Sequence, residues 1–552
     1  MKQTDWYKDA IIYQIYPRSF CDGNGDGLGD IPGIISKLDY LKELGVNCVW
    51  LSPVYDSPQE DNGYDISNYR DIYKPFGTLN DFKKMLNEMH KRGIRLIMDL
   101  VVNHTSSEHH WFKDAISDKN SPYRDYYIIK KGRKNGKKPP NNWSGFFGEG
   151  AWQRIGDSED YYLRLFAKGQ PDLNWENPKV REEVKDILRY WLDMGVDGFR
   201  CDVITLISKD QRFKSDAPNI ALRGKKYFVN GPRLHEYLHE LYTDVYQNYD
   251  CMTVGETVLS TVEQAKLLVL PQRQELSMIF NFDHTDTDNY CGIKWFYRKF
   301  KLKRLKKVIR KWQHALHGYG WNSLFIENHD QRRCVGRFNT DDKELRIESA
   351  KMLGTTYFLL QGTPFIYEGQ ELGMTNGDFS SIEDFMDVET HNIHALGERI
   401  KILKPILKKS LYSCSRDNAR TPMQWDASEY AGFSNVKPWL KVNENKSFIN
   451  ANEAMKDDNS IFHYYQKLIA FRKENEVIKN GEYIDLSPND NNVFAYERRL
   501  GDKSIVIISS FSNKNRRIRL IEKLNSYKLV LSNYNNDNDV LNPYETRVYI
   551  NY

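Results

Sequence analysis

Apolar runs of four to nine residues recur along the first 367 positions of the chain, with segments of helical periodicity between them. Such continuous runs are typical of strands that are buried on both faces of a parallel sheet. Eight runs alternating with helices predict a (β/α)8 barrel of the TIM type. The predicted strands are 11–16, 48–53, 94–102, 198–204, 252–256, 276–282, 323–326 and 364–367.

Two of the intervening helices have clear start and stop signals. Segment 178–194 begins with a proline, carries apolar residues on one face and is followed by Gly195. Proline favours the first turn of a helix and glycine its end. Segment 79–90 has the same pattern before Gly93. We expect both helices to pack their apolar faces on the outside of the barrel.

Two stretches depart from this alternation. Residues 105–174 are rich in Asn, Gly, Lys and aromatic residues and are much longer than a usual βα connection, so we predict a small inserted domain after strand three that walls one side of the site. From about Gly481 apolar and polar positions alternate, which predicts an antiparallel β-sandwich over 481–552, with a hairpin loop at 533–542. The catalytic barrel is then 1–104 and 175–480.

Charge and cysteine content limit the partners and the compartment. The net charge of +4 arises from 79 basic and 75 acidic residues that are well mixed, which argues against binding of nucleic acid or of an anionic membrane. The seven cysteines form neither a disulfide pattern nor a zinc motif. The N-terminus lacks an apolar signal segment, and no run is long enough to span a membrane. We therefore expect a cytoplasmic protein, and a monomer.

Acidic residues follow four of the predicted strands. The segments LIMDLVVNH, GFRCDVI, VGET and ENHD contain Asp99, Asp202, Glu256 and Asp330. In a parallel barrel the carboxyl ends of the strands meet at the catalytic face. An acid at such a position can also cap the next helix or belong to a turn. Four of them, with His104, Arg200 and His329 alongside, favour a catalytic cluster.

In this order the segments resemble the α-amylase family of glycoside hydrolases, and within it the oligo-1,6-glucosidase (isomaltase) and exo-α-glucosidase group. Two further long matches are QPDLNWENP at 170–178 and SRDNARTPMQWD at 415–426. The resemblance spans nearly the whole chain. It implies a retaining exo-acting α-glucosidase that removes glucose from the nonreducing end of short α-1,6-linked oligosaccharides such as isomaltose.

The resemblance also implies the catalytic roles. Asp202 matches the nucleophile, Glu256 the general acid/base and Asp330 the transition-state stabiliser. Retaining cleavage needs one ionised and one protonated carboxyl group about 5 to 5.5 Å apart. We expect Arg200 to lower the pKa of Asp202 and keep it ionised, and partial burial to keep Glu256 protonated.

Substrate-binding residues follow from the same resemblance. Asp61 and Tyr64 in DNGYD match the wall of the nonreducing-end subsite, which Arg416 and Arg420 would close. Val203, after the nucleophile, matches a position where valine accompanies α-1,6 specificity, although a β-branched residue is also ordinary in a strand. The remaining binding candidates are His104, Phe166, Gln170, Arg200 and His329. Phe166 could equally pack within the inserted domain, and the histidines could be core residues.

The loop DGNGDGLGD at 22–30 has oxygen-bearing side chains at alternate positions, as a calcium loop does. The resemblance implies a structural Ca²⁺ held by the side chains of Asp22, Asn24, Asp26 and Asp30 and the carbonyl of Leu28. A metal-free loop of Asx turns is the alternative. We expect no organic cofactor, since cleavage by two carboxyl groups needs none.

Other activities share these motifs. A trehalose-6-phosphate hydrolase would need a basic phosphate pocket on the aglycone side, and an α-1,4-glucosidase or a sucrose-active enzyme would keep the same acids. The chain reads QRRCVGRFN after Asp330, without the RLDRD-like segment of sucrose isomerases. Ile326, Arg332 and Cys201 depart from the usual pattern near the aglycone side. A noncatalytic barrel subunit is disfavoured because the three acids are present.

Overall fold

The computed structural model describes residues 4–217, 222–290, 292–520, 524–534 and 538–552. Its central feature is a parallel barrel whose strands overlap the eight predicted runs. They are β1 (Ile12–Ile15), β2 (Cys48–Leu51), β3 (Arg95–Leu100), β4 (Gly198–Cys201), β5 (Met252–Glu256), β6 (Met278–Phe280), β7 (Ser323–Leu324) and β8 (Thr363–Tyr367). They pair in the order β6-β5-β4-β3-β2-β1-β8-β7. A parallel bridge between Ile279 and Asn322 joins β6 to β7, so the barrel prediction is confirmed.

Alternate residues of each strand face opposite sides of the barrel wall. In β1, Ile12 lies in the interior cluster and Tyr13 in the cluster beneath the helices, and both side chains are fully buried. Trp50, Ile97 and Val254 fill the same interior. The barrel centre is therefore a packed core.

Helices surround the barrel, and the two predicted ones are present. Pro178–Met194 starts at Asn177, whose side chain accepts from the Lys179 amide, and stops at Gly195 with φ of 108°. Leu79–Lys91 begins with a capping box formed by Thr78 and Asp81 and extends one residue beyond the prediction. Both bury their apolar faces against the strands.

The described chain contains these α-helices: Pro17–Phe20, Ile31–Ser36, Leu38–Leu44, Leu79–Lys91, His110–Ser117, Pro178–Met194, Lys225–Phe228, Leu234–Asp244, Val262–Leu268, Leu302–Leu316, Cys334–Phe338, Arg346–Phe358, Val388–Arg399, Lys404–Cys414, Asp417–Arg420, Ala451–Lys456, Ile461–Glu474 and Glu476–Asn480. Two hairpins pair Tyr55–Asp56 with Asn68–Ile72 and Asn289–Tyr290 with Ile293–Tyr297. None of the helices in the described ranges is both long and apolar enough to cross a membrane.

The long connection after β3 contains a sheet of its own. Its three antiparallel strands are Ile129–Lys131, Asp160–Leu163 and Trp152–Arg154, with Asp160–Leu163 in the centre. An antiparallel bridge joins His104 to Asp172 at the base of this segment. The inserted segment therefore returns to the barrel at the point where it leaves.

The C-terminal region is an antiparallel sheet next to a two-stranded ribbon. The sheet consists of β9 (Glu482–Asp485), β10 (Val493–Leu500), β11 (Lys503–Ser510), β12 (Lys528–Ser532) and β13 (Thr546–Ile550), in the order β9-β10-β11-β13-β12, and the ribbon pairs Arg516–Arg517 with Val540–Leu541. Leu541 packs on Ala495 and Ile508 of the sheet. The loop predicted at 533–542 therefore contains a short strand, and residues 535–537 lie outside the described part of the chain.

Candidate active site

Strand register brings the acidic residues to one level. Asp99 of β3 pairs with Arg200 of β4, and Cys201 pairs with Gly255 of β5. Asp202 follows Cys201, and Glu256 follows Gly255. The two carboxyl groups therefore lie side by side at the carboxyl end of the barrel. Parallel pairing alone therefore assembles a carboxyl pair at the catalytic face.

One buried arginine joins three of the acids. Arg200 Nη1 donates to Asp99 Oδ1 and to Asp202 Oδ1, both at 2.6 Å, and Nη2 donates to Glu256 Oε2 at 2.6 Å. The Val203 amide donates to the same Glu256 oxygen at 3.0 Å. The second oxygens of Asp202 and Glu256 accept no hydrogen bond from the described residues. They are the oxygens available to a substrate.

The pKa values of these three carboxyl groups are all raised. Burial is the largest cause, and it outweighs the opposing effect of the Arg200 charge, so the pKa is about 6 for Asp99, about 7 for Asp202 and about 8 for Glu256. The expected effect of Arg200 on Asp202 is present, but the net pKa of Asp202 lies above its usual value because burial outweighs it. Arg200 does lower it, but one cation cannot offset the desolvation and mutual repulsion of three acids. At neutral pH the pair can hold one ionised and one protonated carboxyl group.

Asp330 lies in a different electrostatic environment. Its Oδ1 accepts from Arg420 Nη2 at 3.0 Å and from Arg416 Nη1 at 3.4 Å. Burial raises its pKa, but the surrounding positive charges outweigh this and the net pKa is lowered. Burial lowers the pKa of His329 to about 3, so this ring is neutral at pH 7 and the arginines keep Asp330 ionised.

His329 links this acid to the aromatic wall of the site. The ring contacts the Gln14 amide through Nδ1 and the Tyr64 hydroxyl through Nε2, at 2.7 Å each. Tyr64 also donates to Asp99 Oδ2 at 3.3 Å. Tyr64 is therefore fixed from two sides, which presents one face of its ring in a constant orientation.

A second set of ion pairs closes one end of the site. Arg416 Nη2 donates to Asp61 Oδ1 at 2.9 Å, and Asp61 Oδ2 accepts from Gln170 Nε2 at 3.2 Å. The His104 Nε2 atom lies 3.0 Å from the Tyr64 carbonyl oxygen and 3.2 Å from Gln170 Nε2. Asp61 is 4 % exposed and Gln170 is fully buried. This wall joins the barrel to the inserted segment through buried side chains.

Phe166 and Val203 meet in one apolar cluster. Phe166 lies 5.3 Å from the His104 ring and 5.0 Å from the Phe146 ring, measured between centroids. Val203 belongs to the same cluster. The structure thus brings all thirteen predicted catalytic and substrate-binding residues to the carboxyl end of the barrel.

Two residues in contact with Arg416 were not predicted. Asp387 Oδ1 accepts from Arg416 Nη2 at 2.6 Å, and the Phe147 ring lies 5.2 Å from the Arg416 guanidinium. Asp387 is also the N-cap of helix Val388–Arg399, which is how its sequence context would be interpreted. Phe147 lies in a loop without a motif of its own. No sequence signal distinguishes either residue.

The predicted calcium loop contacts residues 433–439. The carboxyl group of Asp30 accepts from the amides of Gly23, Asn24 and Gly33, and that of Asp22 accepts from two loop amides. Three carboxylates, one amide and one carbonyl are the hard oxygen donors that calcium prefers, so the donor set fits this ion by chemistry. In the described part of the chain, no three His, Cys, Asp or Glu side chains are grouped as a metal site.

Comparison with known proteins gives the family. Residues 14–481 match the model of the alpha amylase catalytic domain. Since this match covers most of the chain, the protein belongs to the α-amylase family of glycoside hydrolases.

The chain is similar to several characterised members. It is 52 % identical to the oligo-1,6-glucosidase of Parageobacillus thermoglucosidasius over 99 % of this chain and 98 % of that protein. It is 45 % identical to the trehalose-6-phosphate hydrolase of Bacillus subtilis (strain 168), over 99 % of this chain and 98 % of that one. The crystal structure of isomaltulose synthase from Klebsiella sp. LX3 superimposes with a TM-score of 0.95 at 40 % identity and covers 99 % of both chains.

Proposed function

We propose that the protein is a retaining exo-acting α-glucosidase that hydrolyses nonreducing-end α-1,6-glucosidic bonds of isomaltose and short isomalto-oligosaccharides. The observation that carries this proposal is the carboxyl pair of Asp202 and Glu256 held by one guanidinium beside a pocket closed by Asp61 and Arg416. Oligo-1,6-glucosidases are among the relatives of high identity.

The pair supports a two-step reaction. Asp202 attacks the anomeric carbon as a carboxylate while Glu256 gives its proton to the leaving oxygen. The resulting glycosyl ester is then hydrolysed by a water molecule whose proton returns to Glu256. One shared guanidinium keeps the two carboxyl groups close, which suits the separation of about 5 to 5.5 Å in retaining enzymes rather than the larger one of inverting enzymes.

The closed wall supports exo action. Asp61 is available to bind the terminal hydroxyl groups of glucose, and the fixed Tyr64 ring offers a face on which the sugar stacks. Because the Asp61–Arg416 pair blocks the pocket beyond the terminal sugar, a chain that continued in that direction would collide with it. Asp330, ionised at neutral pH, suits the ring hydroxyl groups and the positive charge that develops in the transition state.

The trehalose-6-phosphate alternative requires free positive charge on the aglycone side. Arg332, two residues past Asp330, pairs with Asp288, which also accepts from Arg337 Nη2 at 2.7 Å. Asp288 is 1 % exposed, and its one carboxylate offsets one of the two positive charges. Both guanidinium groups are engaged in ion pairs, which makes them weaker ligands for a phosphorylated leaving group than free arginines would be.

The test is glucose release from isomaltose, maltose, sucrose and trehalose-6-phosphate measured side by side, with the Asp202→Asn variant as control. Selective release from isomaltose supports the α-1,6 assignment. A preference for maltose, sucrose or the phosphorylated sugar would retain the barrel and the acids but overturn the specificity. The absence of glucose from every substrate would support the noncatalytic alternative.

The metal and the compartment complete the proposal. The loop at 22–30 binds one structural calcium ion, supported by its donor set. The protein works in the cytoplasm, supported by the burial of the six described cysteines, a state that needs no oxidising compartment. It works as a monomer. Size-exclusion chromatography with light scattering tests the monomeric state.

A further inference from the structure

The backbone immediately after Asp202 has an unusual conformation. Val203 has φ of 37° and ψ of 38°, in the left-handed region. Among the non-glycine residues with positive φ in the described chain, it is the only β-branched one. This region is sterically unfavourable for a β-branched side chain, and such strain persists only where the surrounding structure imposes it.

The peptide unit just before this turn gives one amide its direction. Asp202 remains anchored to β3, since its own amide donates to the Leu100 carbonyl at 3.0 Å. The peptide between Asp202 and Val203 then directs the Val203 amide at Glu256 Oε2, at 3.0 Å. The left-handed conformation at 203 turns the following chain into the 3-10 helix Ile204–Leu206, so the chain leaves the strand directly after this amide.

Two donors on one carboxyl oxygen determine where a proton can reside. Glu256 Oε2 accepts from both Arg200 Nη2 and the Val203 amide. A protonated carboxyl group carries its hydrogen on one oxygen, and that oxygen is then a poor acceptor for two N–H groups. The proton is therefore favoured on Oε1, the oxygen left for the substrate.

We propose that Val203 is a positioning residue whose main-chain amide fixes the carboxyl group of Glu256 and assigns its acidic proton to Oε1. The role belongs to the amide and not to the side chain. This proposal rests on the proposed role of Glu256 as general acid. It gives Val203 a function in addition to its expected effect on α-1,6 specificity.

The test replaces the amide at 203 by an ester, with the α-hydroxy acid analogue of valine incorporated by nonsense suppression. The side chain is retained and only the N–H is lost. The readout is kcat/KM for phenyl α-glucoside and 4-nitrophenyl α-glucoside, which have similar shapes. Phenol is the poorer leaving group and depends more on proton donation. The matched control is the same replacement at Ile204, whose amide donates no hydrogen bond to any described residue.

We expect the ester at 203 to lower kcat/KM at least tenfold for the phenyl substrate and less than threefold for the 4-nitrophenyl substrate. The alkaline limb of the pH profile should move to higher pH, because the lost hydrogen bond had favoured ionised Glu256. The ester at Ile204 should change neither quantity. An equal loss on both substrates, or an unshifted limb, overturns the proposal.

A genetic variant separates main chain from side chain. Val203→Gly keeps the amide and can adopt a positive φ without a steric penalty. We expect its ratio of activities on the two glucosides to stay within threefold of the parent ratio, and a tenfold change would assign the effect to the side chain instead. If the parent itself cleaves neither glucoside, the proposed function fails. If the parent cleaves both glucosides and the ester variant loses activity equally on both, only the present proposal is overturned and the proposed function stands.

Discussion

Two buried arginines in the site each hold three carboxyl groups, with opposite electrostatic outcomes. Around Arg200, the pKa values of Asp99, Asp202 and Glu256 are raised, burial being the main cause. Around Arg416, the pKa values of Asp330 and Asp387 are lowered despite burial. Exposure accounts for part of the difference, because the Asp330 side chain is 31 % exposed whereas the three acids around Arg200 are 10 % exposed or less.

The ratio of cations to acids also differs between the two clusters. Arg200 is a single guanidinium among three acids, whereas Arg416 shares its cluster with Arg420, which donates to Asp330 at 3.0 Å. Three acids share one cation in the first cluster and two in the second, and the larger excess of carboxyl groups favours retention of a proton. The first cluster can therefore exchange protons during a reaction, while the second presents constant charge to a substrate.

The largest expected effect is loss of the catalytic carboxyl groups. Asp202→Asn and Glu256→Gln should each lower kcat about 100-fold or more, since removal of a nucleophile or of a proton donor cannot be compensated by neighbours. Both replacements nearly preserve side-chain volume, so the thermal unfolding midpoint should stay close to that of the parent. Asp125→Asn, at an exposed acid, is the control. A variant within tenfold of the parent would remove that residue from its role.

Removal of each arginine tests the comparison directly. Arg200→Gln should lower the free energy of unfolding by about 3–5 kcal/mol, because three buried acids lose their only shared cation, and kcat should fall. Arg416→Gln leaves Arg420 in place, so a smaller loss of stability is expected, with KM for isomaltose raised about tenfold. Denaturant unfolding and steady-state kinetics measure these quantities. Identical kinetic effects of the two variants would contradict the division into proton-exchanging and binding clusters.

The pH dependence of kcat/KM should be a narrow bell. Activity requires Asp202 without its proton and Glu256 with it. Raising the pH through about 7 therefore turns activity on, and raising it through about 8 turns activity off. The two groups titrate as a coupled pair, so the limbs belong to the pair. An acid limb near pH 4 would show that Asp202 is not perturbed.

A smaller effect is expected from the pocket wall. Phe147→Leu retains most of the apolar volume but removes the aromatic face against Arg416, a contact of about 0.5–2 kcal/mol. We expect KM for isomaltose to rise about threefold to tenfold with little change in kcat. Phe448→Leu, at a phenylalanine that is 42 % exposed, is the matched control. A change in kcat without a change in KM would show that Phe147 acts on the acids around Arg200 instead of on substrate binding.

The smallest effect concerns the proposed calcium ion. EDTA should lower the thermal unfolding midpoint by a few degrees, because a ligand at 100 times its Kd contributes about 2.7 kcal/mol. Added calcium should restore the midpoint, and activity at 25 °C should be unchanged. The Asp26→Asn variant should lose the response and Asp458→Asn, at an exposed acid, should keep it. A midpoint insensitive to EDTA in the parent removes the metal from the proposal.

The acids were predictable from the sequence because each stands beside its strand in one short segment. The role of Asp387 could not be predicted, because an acid before a helix is adequately explained as an N-cap. Asp387 does cap the helix Val388–Arg399. The direction of the pKa shift of Asp202 could not be predicted from the sequence either. The short distance to Arg200 could be foreseen from their spacing, but the degree of burial depends on side chains distant along the chain.

The narrow base of the inserted segment makes part of the pocket exchangeable. The bridge between His104 and Asp172 brings the two ends of the insertion together, and Phe166 and Gln170 lie just inside it. A swap of residues 105–171 with the corresponding segment of a relative would replace one wall while both acids stay on their strands. Substrate range and bond-breaking chemistry can therefore change by separate evolutionary steps in this enzyme.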